Sequence, residues 1–266
     1  MSPVFYAFSL TLLAGLSTAI GGLLGLVTNS TNRRFLAASL GLSAGVMIYV
    51  SLVELLAQGQ DSLSEALGGK TGEWVAIAAF FVGILIAAII DRLVPESINP
   101  HEMGTDTTEL TGTQVDTKLM RAGLITALAV GLHNFPEGFA TFMTALESPS
   151  LAIPVAFAIA IHNIPEGIAV VVPLYHSTGN RKRAFLVTLA SGLAEPLGAI
   201  IGYALLRNFL GPATLGAILA GVAGIMVFIS LDELLPMAEE YGEHHFAIYG
   251  LVAGMAVMAV SLVLLT

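Results

Sequence analysis

Eight stretches of the chain are almost wholly apolar, at about 4–27, 35–56, 74–92, 122–146, 151–175, 184–206, 213–235 and 246–265. Each is close to the roughly 20 residues that an α-helix needs to cross a bilayer. The pattern predicts an all-α membrane protein with eight transmembrane helices in one transporter-sized domain, residues 1–266. Between the third and fourth runs lies a polar interval, 93–121, carrying His101, Glu102, Asp106, Glu109 and Asp116. It reads as a flexible loop without a core of its own. The 57–73 connection reads as a shorter polar loop, and Trp74 just after it as an interfacial anchor.

The runs are not independent. Residues 44–56, AGVMIYVSLVELL, match 223–235, AGIMVFISLDELL. Gly15, Leu16, Gly21 and Gly25 of the first run correspond more faintly to Gly192, Leu193, Gly198 and Gly202 of the sixth. Runs 1–3 thus repeat as 6–8. Five helices separate the partners, an odd number, so they point in opposite directions. The prediction is a 3+2+3 inverted repeat around an antiparallel pair, runs 4 and 5, an arrangement associated with alternating access and a midplane site. Gly21/Gly25, Gly41/Gly45, Gly198/Gly202 and Gly250/Gly254 are read as close helix-packing pairs.

Composition supports this class. The chain is 56% hydrophobic and only 11% charged, where a soluble domain carries about 25% charge. With no cysteine, disulfides and thiolate metal sites are excluded, so a bound metal would need N, O or thioether ligands. The net charge of −9 suits cation handling and argues against a nucleic-acid partner. The first run lacks a basic leader segment and is long enough to span, so it is predicted as a first helix. Arg33, Arg34, Arg92, Lys118, Arg121, Arg181, Lys182 and Arg183 fall on one side, against Lys70 and Arg207 on the other. The positive-inside rule makes the first side cytoplasmic and both termini extracytoplasmic.

Against this apolar background one hexapeptide occurs twice, His133-Asn134-Phe135-Pro136-Glu137-Gly138 and His162-Asn163-Ile164-Pro165-Glu166-Gly167. Ionisable groups in hydrocarbon are costly and usually functional. On a helix His133 and Glu137 are four apart and Asn134 and Glu137 three apart, so all three share a face. Imidazole nitrogens with carboxylate and amide oxygens suit zinc and its first-row neighbours. Pro136 and Pro165 lack an N–H, which should kink each helix and free the carbonyls of Leu132 and Ile161 beside the ligands. The plainer reading, polar patches gluing helices together, leaves two buried acids to repel each other without a cation or protons.

His133, His162 and Glu195 each lie about 11 residues into their runs, or about 16 Å deep, half of a core about 30 Å thick. Three helices therefore place polar groups at one level. Glu195 is followed by Pro196, a second case of an acid beside a helix-breaking residue. Two imidazoles, two amides and three carboxylates exceed one tetrahedral zinc and would serve two adjacent ions.

The paired HNxPEG segments resemble those of the ZIP family of divalent-metal transporters, specifically its bacterial ZupT-type branch, and the likeness in helix number and length covers essentially the whole chain. The resemblance implies a binuclear metal centre with the motif glutamates bridging. Carried over by position, His133, Glu137, His162 and Glu166 would hold one ion, and Asn134, Glu137, Asn163, Glu166 and Glu195 the other. It further implies Zn²⁺, Fe²⁺, Mn²⁺, Co²⁺ and Cd²⁺ as transported substrates with no resident cofactor, and a place in the bacterial cytoplasmic (inner) membrane. An elevator-like motion of runs 1, 4, 5 and 6 against the others is implied as well. A homodimer is left open. The family's histidine-rich loop is reduced here to His101 with Glu102.

Weaker pathway candidates accompany these. Glu54 is expected to end the second run on the outer side, and Glu233, beside Asp232, to end the seventh on the inner side. They read either as gate acids or as solvated helix ends. Ser51 either lines the path or bonds back to its own helix. Met47 and Met226 read as core filler, and Glu239, Glu240, Glu243, His244 and His245 as a solvated face. The alternative to a transporter is an intramembrane zinc-dependent hydrolase. That enzyme needs a general base beside a metal-bound water, as in H-E-x-x-H. Here the corresponding position is Asn134 or Asn163, which cannot serve as one.

Overall fold

The computed structural model describes residues 2–28, 32–93, 112–147, 149–206, 211–240 and 243–265. His101, Glu102, Asp106 and Glu109 of the polar interval lie outside them, as does Arg207. All regular structure among the described residues is helical: α1 (Pro3–Thr28), α2 (Arg33–Tyr49), α3 (Leu56–Leu67), α4 (Gly69–Leu93), α5 (Gly112–Glu147), α6 (Pro149–Thr178), α7 (Arg181–Gly192), α8 (Ala194–Leu206), α9 (Pro212–Ile229), α10 (Leu235–Glu240) and α11 (His244–Leu265). π-Helical segments, Val50–Leu55 and Ser230–Leu234, join α2 to α3 and α9 to α10. Seven of the resulting rods are long and apolar enough to cross a membrane, and α5 carries the eighth apolar run.

Two expected boundaries move. The 57–73 connection is not a loop: α3 continues the second rod to Leu67, and the turn is made at Gly68, whose φ of 86° suits a residue without a Cβ. The reason is amphipathicity, since Gly59 and Leu63 are buried while Asp61, Glu65 and Ala66 face outward. A polar face on a helix and a polar loop look alike in composition. α5 likewise begins at Gly112, inside the interval read as polar. Local starts follow side-chain chemistry. Asn32 Oδ1 accepts from Arg34 N and Phe35 N at 3.1 and 3.3 Å, and Asn180 Oδ1 from Arg183 N at 3.0 Å.

The helices distribute polarity inside out. Phe5, Leu13, Val27, Phe81, Val263 and Leu264 are exposed, whereas Asn134, Glu137, His162, Asn163, Glu166 and Glu195 are fully buried. That is the arrangement expected when the outer solvent is hydrocarbon. α1 packs on α6, α5 on both α6 and α8, α2 on α11, and α4 on α9.

Glycine sets how closely these pairs approach. A Cβ at Gly41 or Gly45 would collide with carbonyls of α11, and one at Gly250 or Gly254 with carbonyls of α2. Gly21 and Gly198 make the same approach to Ile164 O and Phe135 O. The packing role expected for the glycine pairs is what the structure shows.

Candidate metal centre

Both hexapeptides lie within unbroken helices, the first on α5 and the second on α6, despite Pro136 and Pro165. An interruption appears instead at Leu193, where α7 ends and α8 begins, three residues before Pro196. Pro196 cannot donate to the Gly192 carbonyl, and the sixth run divides beside that residue. Glu195 therefore occupies the first turn of α8, at a helix N-terminus that favours negative charge.

The last residue of each motif brings the helices together. A Cβ at Gly138 would strike the backbone of Glu195, and one at Gly167 the carbonyl of Thr18 on α1. Glycine at these positions thus permits the backbone contact that places Glu195 beside the first motif.

The amides are oriented by carbonyls that can only accept. Asn134 Nδ2 donates to Ser191 O at 3.3 Å, and Asn163 Nδ2 donates to Ala14 O at 3.0 Å and to Glu195 Oε1. These contacts fix which end of each amide is NH₂. Asn134 Oδ1 and Asn163 Oδ1 are left pointing elsewhere, buried and without a hydrogen bond, as is Glu195 Oε2. His162 Nε2 stands 2.9 Å from Glu137 Oε1, while Glu137 Oε2 accepts no hydrogen bond. Glu166 Oε1 accepts from Ser43 Oγ of α2 at 2.8 Å.

Unsatisfied buried oxygens are expensive, and here each is a lone-pair donor lacking a proton partner. A divalent cation would supply what they lack. His133 sits one turn before Glu137 on α5, but its side chain lies outside the described set. Among the described residues no three His, Asp or Glu side chains converge as a ready-made metal cluster. The acids and imidazole that are described pair off, Glu137 with His162 and Glu195 with Asn163.

The weaker candidates stand apart from this cluster. Glu54 does not end a helix: it lies in the π-helical segment of a rod that continues to Leu67, half-buried and accepting from Gln58 Nε2 at 2.6 Å. Asp232 and Glu233 lie half-buried in the matching segment, before α10. Ser51 Oγ is fully buried and donates to Met47 O at 2.6 Å, and Ser230 Oγ to Met226 O at 2.7 Å. Met47 and Met226 are core residues. His244 Nδ1 lies 2.8 Å from Glu239 Oε1, on an exposed face.

Sequence reading overlooked Ser43, the Ala14 and Ser191 carbonyls and the motif glycines. Ser43 left a trace as a polar residue one position before the repeated segment, and Gly138 and Gly167 as the shared last residue of the two motif copies.

The model of the family described as ZIP Zinc transporter matches residues 92–262. Relatives match over nearly their whole lengths. A zinc transporter ZupT of Streptococcus mutans serotype c is 60% identical over 261 residues, 98% of each chain. One of Clostridium perfringens is 56% identical over 277 residues, covering 99% of this chain and 97% of the relative. One of Chlorobium luteolum is 58% identical over 266 residues, the full length of both.

Proposed function

Given that the chain belongs to the ZIP zinc transporter family, we propose that it is a secondary transporter importing Zn²⁺ through a binuclear site at the membrane midplane. The observation that carries this is the fully buried set Asn134, Glu137, His162, Asn163, Glu166 and Glu195, with amide and carboxylate oxygens left without hydrogen bonds. His133 would complete the ligand set from α5. Glu137 and Glu166 would be shared between the ions. The seven polar residues are supplied by α5, α6 and α8. Fe²⁺, Mn²⁺, Co²⁺ and Cd²⁺ belong to the same ligand chemistry and are proposed as further substrates.

Alternating access would run through a 3+2+3 inverted repeat in one domain, with the connection between α4 and α5 on the cytoplasmic side and both termini outside the inner membrane. Several paired features support the repeat. The echoed segments each hold a π-helical stretch. Both motif amides donate to carbonyls at matching positions, Ser191 and Ala14. Gly21 and Gly198 pack on the carbonyl of the third residue of each motif. Helices α1, α5, α6, α7 and α8 would move against the rest. The hydrolase alternative has no support, because its general-base position holds asparagine in both copies.

Uptake of radioactive zinc into proteoliposomes is the test. Wild-type protein should accumulate zinc, and Glu137→Ala or Glu166→Ala should not. Transport by either variant at the wild-type rate would remove the shared site.

A further inference from the structure

We infer that the Ser43 hydroxyl is a positioning group for Glu166, reaching from α2 to fix how that carboxylate is presented to a divalent cation. The inference rests on the metal-site reading above and adds to it a residue outside the ligand set. Ser43 and Glu166 are both fully buried, 123 positions apart in sequence, and joined by a hydrogen bond of 2.8 Å.

Buried hydroxyls in helices ordinarily bond backward to a carbonyl one turn earlier, which satisfies them locally. Thr11, Ser17, Ser51, Thr188 and Ser230 do so here. Ser43 departs from that pattern. Its donor is aimed across the helix interface at a carboxylate, so its position is tied to Glu166 rather than to α2.

The geometry has a chemical consequence. A carboxylate has two oxygens, and a donor fixed to Oε1 sets the plane in which Oε2 points. Outer partners of this kind orient metal ligands, and their loss typically lowers metal affinity about 10–100-fold. Glu137 has no such hydroxyl in the described contacts. By the repeat's register, 44 matching 223, the counterpart of Ser43 is Val222, which has no donor to give. Among the described contacts, a hydroxyl from another helix thus reaches Glu166 and none reaches Glu137.

The test compares initial rates of zinc uptake against zinc concentration in proteoliposomes for wild type, Ser43→Ala, Ser43→Thr and Glu166→Ala. Ser43→Ala is expected to raise KM about tenfold with the maximal rate within about twofold, and Ser43→Thr to restore KM. An unchanged KM in Ser43→Ala, or equal losses of maximal rate in both serine variants without a KM shift, would overturn the inference and leave Ser43 a packing residue. Glu166→Ala transporting normally would overturn the metal-site reading, and this inference with it. Glu166→Ala inactive beside a wild-type-like Ser43→Ala would remove Ser43 alone. If Ser43→Ala inserts poorly, equilibrium zinc binding to the folded, detergent-purified fraction decides by the same shift in Kd.

Discussion

On α5, Glu137 Oε1 stands 2.9 Å from His162 Nε2 and Oε2 takes no hydrogen bond; on α6, Glu166 Oε1 is held by Ser43 at 2.8 Å. Asn134 Nδ2 makes one bond, to Ser191 O, whereas Asn163 Nδ2 makes two, to Ala14 O and Glu195. Gly138 packs on an acid-bearing residue, Glu195, and Gly167 on Thr18. Two nearly identical hexapeptides thus occupy different surroundings. The motif supplies the same polar side chains twice, and the described contacts around the two copies differ. A symmetric pair of ligand faces need not give two equal ion sites, since outer contacts tune affinity as much as ligand identity does.

The largest expected effect tests what the copies share. In the proposed binuclear site, removing either acid leaves the opposing carboxylate without its full set of cations, and breaking a buried charged set by taking one member costs about 3–5 kcal/mol. Glu137→Ala and Glu166→Ala should each reduce zinc uptake by about 100-fold or more, with the protein still inserted. If only one of the two abolishes uptake, the copies are unequal in function as well as in surroundings, and the bridging role belongs to that acid alone.

The next effect tests the approach that each motif glycine permits. A Cβ at Gly138 or Gly167 would meet backbone, not a flexible side chain, so the helices must separate. Overpacking of this kind costs about 1–3 kcal/mol. Gly138→Ala and Gly167→Ala should both lower the melting temperature in detergent. Gly131→Ala is the control: its Cβ would sit 3.8 Å from Ser191 Cα, an ordinary contact, and should be tolerated. Equal stability of all three variants would mean the close approach is not held in solution.

The sequence made the eight runs, the paired motif and Glu195 legible, because polar residues stand out in apolar runs and hydrocarbon punishes them. It also made the close glycine contacts legible, since small residues four apart leave one helix face bare. It concealed whatever depends on a neighbour. Ser43 has the same composition as Ser51, yet one bonds across an interface and the other to its own helix. The continuation of the second rod through Glu54 was hidden because α3 is amphipathic and its polar face resembles a loop. The π-helical segments were hidden because a shift in hydrogen-bond register leaves composition untouched.

A third prediction separates the amides. Asn163 joins α1 and α8 through two donated bonds, and Asn134 joins only α7 through one. Asn163→Ala frees Glu195 Oε1 as well as removing a proposed oxygen ligand. It should raise the KM for zinc about tenfold, against a smaller rise for Asn134→Ala, measured as uptake in proteoliposomes. The reverse order would show that the contact with Glu195 does not govern the site.

The smallest effect concerns Thr18, which the proposed repeat pairs with Glu195. Thr18 is fully buried beside the second motif, and its Oγ1 has no hydrogen-bond partner. An unsatisfied buried hydroxyl costs about 1–3 kcal/mol. Thr18→Val keeps the shape and removes that group, so it should leave zinc uptake unchanged and raise the melting temperature slightly. Glu195 at the matching position accepts from Asn163, so the same surroundings would hold a working acid at one motif and an idle hydroxyl at the other. A tenfold loss of uptake in Thr18→Val at undiminished stability would reverse that assignment. The hydroxyl would then be an oxygen donor to the cation, and both motifs would draw one ligand from the helix that packs on their glycine.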